Sequence, residues 1–482
     1  MNQVQSIDPR TGRTVEVVAH ETSPDELDAL CREAAAAAPH LEDMGRLARA
    51  ELLRHLADAL ESRRAEIVPL ADRETALGQP RLNGELTRTC FQLRLFADVL
   101  EEGSYLEATI DHAADTAMGP RPDLRRMLVP LGPVAVFGAS NFPLAFSVPG
   151  GDTAAALAAG CPVIVKAHPS HPATSQLCFD TLRAAAAAAG APTGAIALVH
   201  GLEAAAALVA HPAIRAVGFT GSLAGGKALL DIIERRPDPI PFFGELSSLN
   251  PVVVTERAAH ERAGELAEGI VGSFTLGGGQ FCTKPGLVFV PDSTAGDALV
   301  ARMATAASQL PAQVLLNGAI AAGYSLGLER LQSATNVKAL AHGQAGSGSG
   351  FEAVPTLWGI AAIDLSPEVT AECFGPLAVV ARYSSEEDLL SALDKMPASL
   401  TATVLRGAGE TDLPGRITLA LRDRAGRLVF DAFPTGVAVS WAQHHGGPWP
   451  STNSQHTSVG TTAIRRFLRP VAYQDAPVEL LP

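Results

Sequence analysis

Short apolar runs alternate with helical segments between residues 128 and 245, and this alternation limits the possible folds more than any other feature. Two of the helical stretches are rich in alanine and end at a glycine, Gly160 and Gly190. Short apolar runs separated by helices are typical of a parallel sheet with crossover helices. The sequence therefore predicts an α/β fold with a doubly wound sheet. The strand candidates are 134–137, 162–166, 195–199 and 215–219.

A single domain does not account for this length, because the chain has 482 residues and is 47% hydrophobic. Leu and Ala recur at helical spacing over residues 25–38 and 46–67, after a capping Ser23-Pro24 pair. Strand-like runs resume at 251–254, 286–290 and 377–383, which predicts a second α/β lobe. The Gly- and Ser-rich stretch 343–350 is typical of a surface loop.

Composition excludes several classes of function. The net charge is −14 without a basic run, so a nucleic-acid partner is not expected. The apolar region 131–160 is interrupted by polar residues, Gly and Pro, so we expect no membrane span. The six cysteines include no C-x-x-C pair, which favours a reducing cytoplasm over a disulfide framework or a metal site.

Two segments carry residues for nucleophilic chemistry. Cys282 follows three glycines in the segment GGGQFCT, which would leave its thiol accessible on a turn. Glu245 lies in an otherwise apolar, strand-like stretch, where an acid is costly unless it is paired or functional. We interpret them as a nucleophile and a general base. The alternatives are an incidental cysteine in a Gly-rich turn and a structural ion pair.

Two further segments follow predicted strands, where ligands of parallel sheets bind. The amide of Asn141 and the Cys282 N–H could donate to an oxyanion, although Asn141 could also be a helix cap. Gly221 and Ser222 stand at a predicted helix start, where free N–H groups favour a phosphate. Lys166 ends a predicted strand and could reach ribose hydroxyls; the alternative is a solvated surface lysine.

These segments, in this order, resemble the aldehyde dehydrogenase superfamily over essentially the whole chain. In detail the sequence is most similar to the α-ketoglutaric semialdehyde (2,5-dioxovalerate) dehydrogenases, for example at 137–147, 242–251 and 433–437. The motifs that carry the superfamily resemblance are Asn141-Phe142-Pro143, Lys166, Phe219-Thr220-Gly221-Ser222, Glu245-Leu246, Gly279-Gln280-Phe281-Cys282 and Glu372-Cys373-Phe374-Gly375-Pro376.

The resemblance implies NAD(P)-dependent oxidation of an aldehyde through a thioester on Cys282, with Glu245 as base. Asn141 and the Cys282 N–H would hold the oxyanion. Lys166 and Glu372 would hold the cofactor riboses. Ser222 would bind the pyrophosphate, with Gly226 allowing close approach. The remaining cofactor positions implied are Gly221, Phe374, Phe137 and His168.

Three departures from common family patterns bear on these expectations. Ser247-Ser248-Leu249 replaces the frequent Gly-Gly-Lys after the Glu-Leu pair. Pro169 stands where many NAD-preferring relatives carry Glu, so no carboxylate there would repel a 2′-phosphate, and NADP should be tolerated or preferred. Cys373 replaces an aliphatic residue and is expected to pack in the core.

The expected substrate is α-ketoglutaric semialdehyde, whose product is 2-oxoglutarate. Its distal carboxylate requires a cation, for which Arg88 is the candidate, with Gln92 one helical turn away; the alternative for Arg88 is a surface residue. Phe142, Phe281 and His445 are expected to line the substrate tunnel, with His444 and His445 as walls. Alternative functions are a broad-specificity NADP-dependent aliphatic aldehyde dehydrogenase, a non-catalytic nucleotide-binding structural protein and a cofactor-independent thiol hydrolase.

The domain organisation follows from the same resemblance. Residues 1–112 and 131–243 would form the NAD(P)-binding domain, and residues 244–440 the catalytic domain. Segments 113–130 and 466–482 are expected to act as arms that join subunits into a homodimer or homotetramer.

Overall fold

The computed structural model describes residues 2–482, which form an α/β fold. Its strands are β1 (Gln3–Asp8), β2 (Arg13–His20), β3 (Thr109–Asp111), β4 (Ala114–Thr116), β5 (Gly119–Arg121), β6 (Leu124–Pro130), β7 (Val134–Phe137), β8 (Val163–Lys166), β9 (Ile196–Val199), β10 (Ala216–Thr220), β11 (Phe242–Glu245), β12 (Val252–Val254), β13 (Leu287–Pro291), β14 (Gln313–Val314), β15 (Lys338–His342), β16 (Glu352–Ala353), β17 (Thr356–Ala361), β18 (Leu377–Tyr383), β19 (Ser399–Leu405), β20 (Ala425–Phe430) and β21 (Leu468–Gln474).

The helices fall between these strands. They are α1 (Pro24–Asp43), α2 (Gly45–Ser62), α3 (Arg64–Thr75), α4 (Gln79–Glu102), α5 (Gly151–Ala159), α6 (Pro172–Ala188), α7 (Leu202–Ala210), α8 (Leu223–Glu234), α9 (Glu256–Thr275), α10 (Thr294–Ser308), α11 (Gly318–Ser333), α12 (Pro367–Thr370), α13 (Glu386–Asp394) and α14 (Asp412–Arg422).

The first sheet, of β11-β10-β7-β8-β9, is parallel throughout. Val134 and Val136 pack in one hydrophobic cluster, whereas Ala135 and Phe137 pack in the cluster on the opposite side. Helices therefore cover both faces, which explains why its strands are apolar runs without alternation. The predicted doubly wound sheet is confirmed.

The second sheet has the order β15-β17-β18-β13-β12-β19-β20 and is parallel except for its edge strand β15. Its strands also pack against clusters on both faces, with Val253 and Phe289 on one side and Val252 and Val288 on the other. The predicted second α/β lobe is thus present, and the strand predicted at 377–383 matches β18.

A third sheet, β21-β6-β3, joins two segments that are distant in sequence. Strand β6 pairs antiparallel with β21 near the C-terminus, from Pro130 opposite Leu468 to Leu124 opposite Gln474. The two predicted arms therefore lie side by side.

Two helix predictions need correction. The predicted helix 46–67 is broken at Arg63, where α2 ends and α3 begins. Neither Gly nor Pro marks this break, so the continuing Leu and Ala spacing concealed it. The Ala-rich helix that ends at Gly160 begins only at Gly151, because residues 142–150 form turns. The predicted Ser23 cap is confirmed, with a capping box to Glu26.

Candidate active site

The strand register brings the sequence candidates to one edge of the first sheet. Phe137 at the end of β7 lies opposite both Lys166 and Phe219, and Thr220 lies opposite Glu245. The candidates from the second sheet, Cys282 and Glu372, lie in the connections before β13 and β18. The site therefore lies between the carboxyl ends of one set of strands and the amino ends of the other.

The loop that carries Cys282 depends on its glycines. Gly277, Gly278 and Gly279 have φ of 58°, 71° and 65°. An added Cβ on Gly279 would lie 2.1 Å from the Gly375 carbonyl oxygen, which excludes any side chain. Asn250 anchors the far side of this loop by donating from Nδ2 to the Cys282 carbonyl at 2.8 Å. The Cys282 thiol is consequently fixed in a half-buried position.

Glu245 is buried at the end of β11, with 1% of its surface exposed. Its Oε1 lies 3.0 Å from His445 Nε2, and its Oε2 accepts a hydrogen bond from Ser458 Oγ at 2.6 Å. Burial works to raise the pKa of Glu245. The charge and hydrogen bond of His445, aided by Ser458 and Arg466, overcome this and lower the pKa to about 2. The carboxylate is therefore ionised at neutral pH.

The Cys282 thiol lies beside this carboxylate. Its Sγ, a carboxylate oxygen of Glu245 and a ring nitrogen of His445 all lie within 4.8 Å of one another. Burial, followed by the charge of Glu245 and a hydrogen bond to it, raises the pKa of the thiol well above its usual value. The charge of Arg88 opposes this rise. The thiol is thus protonated at rest, with an ionised acceptor beside it.

Asn141 faces the same space from the first sheet. Its Nδ2 donates to the Gln280 carbonyl at 2.8 Å, which leaves its second amide hydrogen for a ligand. Arg81 donates to the Asn141 carbonyl at 2.6 Å and holds the segment in place. The helix-cap alternative is wrong, because the next helix begins at Gly151 and its N-cap is Gly150.

A cavity of about 620 Å³ joins these groups. Cys282, Glu245 and Asn141 line it together, so the three predicted reaction-centre side chains do converge. The other predicted site residues that line the cavity are His168, Gly221, Ser222, Glu372 and Phe374.

Ser222 and Gly221 stand where the cavity meets α8. Ser222 is the N-cap of that helix and accepts a hydrogen bond from the Gly225 N–H at 3.1 Å. An added Cβ on Gly226 would lie 2.3 Å from Leu246 Cδ2, so this glycine permits close packing of α8 against Leu246. The sequence had suggested a close approach to a ligand instead.

Lys166, His168 and Phe137 surround the same edge of the sheet. Burial lowers the pKa of Lys166 to about 8, with the charge of Glu21 opposing, so Lys166 is not a solvated surface lysine. Burial also lowers the pKa of His168 well below its usual value, so this ring is neutral. Phe137 packs against Phe219, with ring centroids 6.0 Å apart.

Glu372 has a partner that the sequence did not indicate. Its Oε2 accepts a hydrogen bond from Ser247 Oγ at 2.6 Å, within the segment that departs from the family pattern. Burial raises the pKa of Glu372. Cys373 is buried and contacts the Tyr324 carbonyl through Sγ, as expected for core packing.

Helix α4 brings cations to the Cys282 side of the molecule. The Arg88 guanidinium lies 5.0 Å from the centre of the Phe146 ring, and its charge acts on both Cys282 and Glu245. Arg88 is therefore not a surface residue. Gln92 lies one turn further along α4 and is buried. Phe142 and Phe281 pack edge to face at 5.3 Å, with Arg81 over both rings.

Comparison with known proteins agrees with this arrangement. Residues 1–411 match the model of the aldehyde dehydrogenase family. The chain belongs to this family. As an aldehyde dehydrogenase it is 46% identical over 442 residues to α-ketoglutaric semialdehyde dehydrogenase 2 of Azospirillum brasilense, covering 90% of this chain and 84% of that one. It is 43% identical to the α-ketoglutaric semialdehyde dehydrogenase of Acinetobacter baylyi, covering 95% and 88%.

Solved structures show the same fold for this aldehyde dehydrogenase. The 1-pyrroline-5-carboxylate dehydrogenase from Thermus with bound NAD superposes with a TM-score of 0.85 at 20% identity, covering 98% of this chain and 90% of that one. At that identity the likeness concerns the fold alone. Within residues 2–482, each helix of the aldehyde dehydrogenase is too short or too polar to span a lipid bilayer.

Sequence reasoning missed the partners that hold the reaction centre of this aldehyde dehydrogenase. His445 was expected only to line the tunnel, yet it contacts both Glu245 and Cys282. Ser458 and Asn250 lie in segments that carry the family resemblance, but no role was predicted for either of them. No local pattern could have predicted their contacts, because each acts on a residue at least 32 positions away in the chain.

Proposed function

We propose that this aldehyde dehydrogenase oxidises α-ketoglutaric semialdehyde (2,5-dioxopentanoate) to 2-oxoglutarate with NADP or NAD, through a thioester on Cys282. The observation that carries the proposal is the convergence of Cys282, Glu245 and Asn141 on one cavity. The names of the two relatives at 43–46% identity support the choice of substrate.

The first step needs a nucleophile and donors for the oxyanion. The Cys282 sulfur attacks the aldehyde carbon, and negative charge develops on the carbonyl oxygen. The free amide hydrogen of Asn141 can donate to this oxygen. Within residues 2–482 the Cys282 N–H donates to no backbone carbonyl, so it can supply a second hydrogen bond. Donors fixed before the reaction stabilise its charged state.

The second step needs a base. Once the thioester has formed, Glu245 is ionised and lies beside the sulfur, where it can deprotonate an attacking water. Its hydrogen bonds to His445 and Ser458 hold both oxygens in place. The carboxylate product leaves when the carbon–sulfur bond breaks and the electron pair returns to Cys282.

The cavity fits a dinucleotide on its α8 side. Ser222 and Gly221 present a helix start, where unpaired N–H groups suit the pyrophosphate. Lys166 and Glu372 would hold the riboses, and Phe374 would pack beside the nicotinamide ribose. When bound, the nicotinamide supplies a hydride acceptor. Pro169 lines the cavity without a carboxylate, which supports the use of NADP as well as NAD.

Unpartnered donors on α4 suit the distal carboxylate of the substrate. Within residues 2–482, Arg88 Nη1, Gln92 Nε2 and Arg81 Nη1 are buried without a hydrogen-bond partner. Buried polar groups nearly always have partners, so these unpaired donors on the Cys282 side of α4 favour an anionic ligand. Arg88 and Gln92 are four residues apart and share one face of α4. We assign them to the substrate carboxylate.

An aldehyde panel with both cofactors tests the proposal. The panel contains 2,5-dioxopentanoate, succinate semialdehyde, and pentanal, which keeps a five-carbon chain but lacks the acid. The formation of reduced nicotinamide is followed by absorbance. We expect the highest kcat/KM with 2,5-dioxopentanoate. A higher value with pentanal would favour a broad aliphatic aldehyde dehydrogenase, and no turnover with any aldehyde would favour a non-catalytic protein.

Other features of the prediction also stay proposals. We propose that the third sheet mediates a homodimer or homotetramer, because it joins the segments expected to act as arms. We also propose that residues 1–112 and 131–243 form the NAD(P)-binding domain and residues 244–440 the catalytic domain. The six cysteines are unpaired, which supports a reducing compartment.

A further inference from the structure

The position of the His445 ring does not fit a passive tunnel wall. Its Nε2 lies 3.0 Å from Glu245 Oε1 and 3.5 Å from Cys282 Sγ, and the residue has no exposed surface. The backbone around it is clamped, because its N–H donates to Thr457 Oγ1 at 2.7 Å and its carbonyl accepts from the Ser458 N–H at 2.9 Å. The ring is therefore held against the two groups that react.

The hydrogen on Nε2 of this ring can be assigned from its neighbours. An ionised carboxylate only accepts hydrogen bonds, so Nε2 must carry a hydrogen to make its contact with Glu245. The other ring nitrogen, Nδ1, is buried and has no hydrogen-bond partner within residues 2–482. A single N–H thus faces two acceptors, the carboxylate and the sulfur.

We propose that His445 is a further catalytic residue, whose Nε2–H stabilises the Cys282 thiolate when it forms and again when it leaves the thioester. This inference rests on the proposed thioester chemistry. In the first event the thiol S–H bond breaks and an O–H bond forms on Glu245, with no change of oxidation state. The neutral acid is a weaker acceptor than the carboxylate, so the Nε2–H turns to the new thiolate.

The second event repeats this arrangement. Between the two events Glu245 releases the thiol proton to solvent and is ionised again, in line with its lowered pKa. Water then attacks the thioester carbon and gives its proton to Glu245, and the carbon–sulfur bond breaks with its electron pair returning to Sγ. The Nε2–H of His445 again meets a thiolate beside a protonated Glu245. One donor therefore serves both the attacking and the leaving sulfur.

The charges around the pair show why a donor is needed. Burial and the Glu245 charge raise the pKa of the Cys282 thiol, whereas the charge of Arg88 lowers it. A hydrogen bond to the thiolate acts in the same direction as Arg88. The other titratable or charged groups that act on Cys282, Glu245 or their partners are Glu372, Arg81, Glu85, Arg427, Arg466, Asp152 and His444.

Alkylation of Cys282 by iodoacetamide tests the proposal without substrate or cofactor. The rate is measured against pH in the presence of EDTA, so that no metal ion bridges the three side chains. Burial raises the pKa of the five other thiols, and peptide mass mapping confirms which cysteine reacts. Because no aldehyde is present, failure of the substrate assignment leaves this result unaffected.

His445→Leu removes the donor, and His445→Gln keeps an N–H of comparable reach. With His445→Leu we expect alkylation at neutral pH to slow by about tenfold or more, and the midpoint of the pH profile to move up by about one pH unit. For His445→Gln, the alkylation rate and the midpoint of the pH profile should lie between those of His445→Leu and those of the wild type. His456→Gln, at an exposed histidine of the same segment, should match the wild type.

A purely structural role for His445 predicts a different result. Loss of packing would lower the melting temperature of His445→Leu but leave the alkylation profile of the folded protein unchanged. That outcome overturns the proposal. If the Leu variant does not fold, His445→Asn replaces it, because its shorter amide falls short of the sulfur. If the alkylation rate of His445→Asn then depends on pH as that of the wild type does, the proposal is overturned as well.

Discussion

Replacement of Arg88 by methionine tests how the tunnel recognises its substrate. The Arg88 guanidinium packs over Phe146 at 5.0 Å and keeps one buried nitrogen without a partner in residues 2–482. Methionine preserves much of the apolar packing and removes only the charged donors. The variant therefore isolates the contribution of the guanidinium to binding of an anionic substrate.

The expected magnitude follows from the contact that would be lost. A hydrogen bond to a charged group contributes about 1.5–3 kcal/mol, which corresponds to a loss of about 10- to 150-fold in kcat/KM. Arg88 also acts on the charges of Cys282 and Glu245, so part of the loss is common to every aldehyde. The informative quantity is therefore the ratio of kcat/KM for 2,5-dioxopentanoate to that for pentanal.

The assay compares both aldehydes with wild type, Arg88→Met and Gln92→Leu under saturating cofactor. We expect the ratio to fall by at least about tenfold in Arg88→Met, chiefly through a higher KM for 2,5-dioxopentanoate. Gln92→Leu should lower it less, because a neutral donor forms a weaker bond. An unchanged ratio in Arg88→Met would show that this side chain does not bind the carboxylate.

Three further predictions concern the loop, the base and the cofactor. Gly279→Ala should abolish turnover because its Cβ would clash with the Gly375 carbonyl, whereas Gly272→Ala, with open space around it, should be tolerated; equal activity of the two variants would refute the loop argument. Ser458→Ala should raise the pKa of Glu245 by removing a hydrogen bond that lowers it. The acid limb of the pH profile of kcat/KM should therefore move to higher pH, and an unmoved limb would contradict this role of Ser458. Pro169→Glu should reduce kcat/KM with NADP relative to NAD by about tenfold or more through repulsion of the 2′-phosphate. An unchanged ratio of the two kcat/KM values would show that residue 169 does not lie near the 2′-phosphate.

The first sheet could be predicted because its strands carry their own signal. β7 and β9 are continuous apolar runs, and β8 is apolar up to its last residue, since both faces of a parallel strand are buried. The break at Arg63 could not be predicted, because no residue there disfavours a helix more than its neighbours. The start of α5 was placed too early for a related reason, since the turns before Gly151 are themselves apolar.

The reaction centre was predicted in its members but not in its contacts. Cys282, Glu245 and Asn141 stand in recognisable local motifs, and the parallel order β11-β10-β7 explains how the segments of Glu245 and Asn141 meet at one edge of the sheet. The contact between Glu245 and His445 joins residues 200 positions apart. It depends on how residues 451–453 run beside β11, where Asn453 exchanges hydrogen bonds with the strand. Such a pairing has no signature in one sequence.

The central claim is that Cys282 carries the acyl group during turnover. Acid quenching of the enzyme during steady-state turnover with 2,5-dioxopentanoate and NADP or NAD, followed by peptide mass mapping, measures this directly. We predict on the peptide that contains Cys282 an acyl adduct whose added mass is that of the substrate less two hydrogen atoms, since hydride transfer precedes the thioester, and neither adduct nor turnover in Cys282→Ser. Undiminished turnover by Cys282→Ser, or an adduct found only on another residue, would contradict the account.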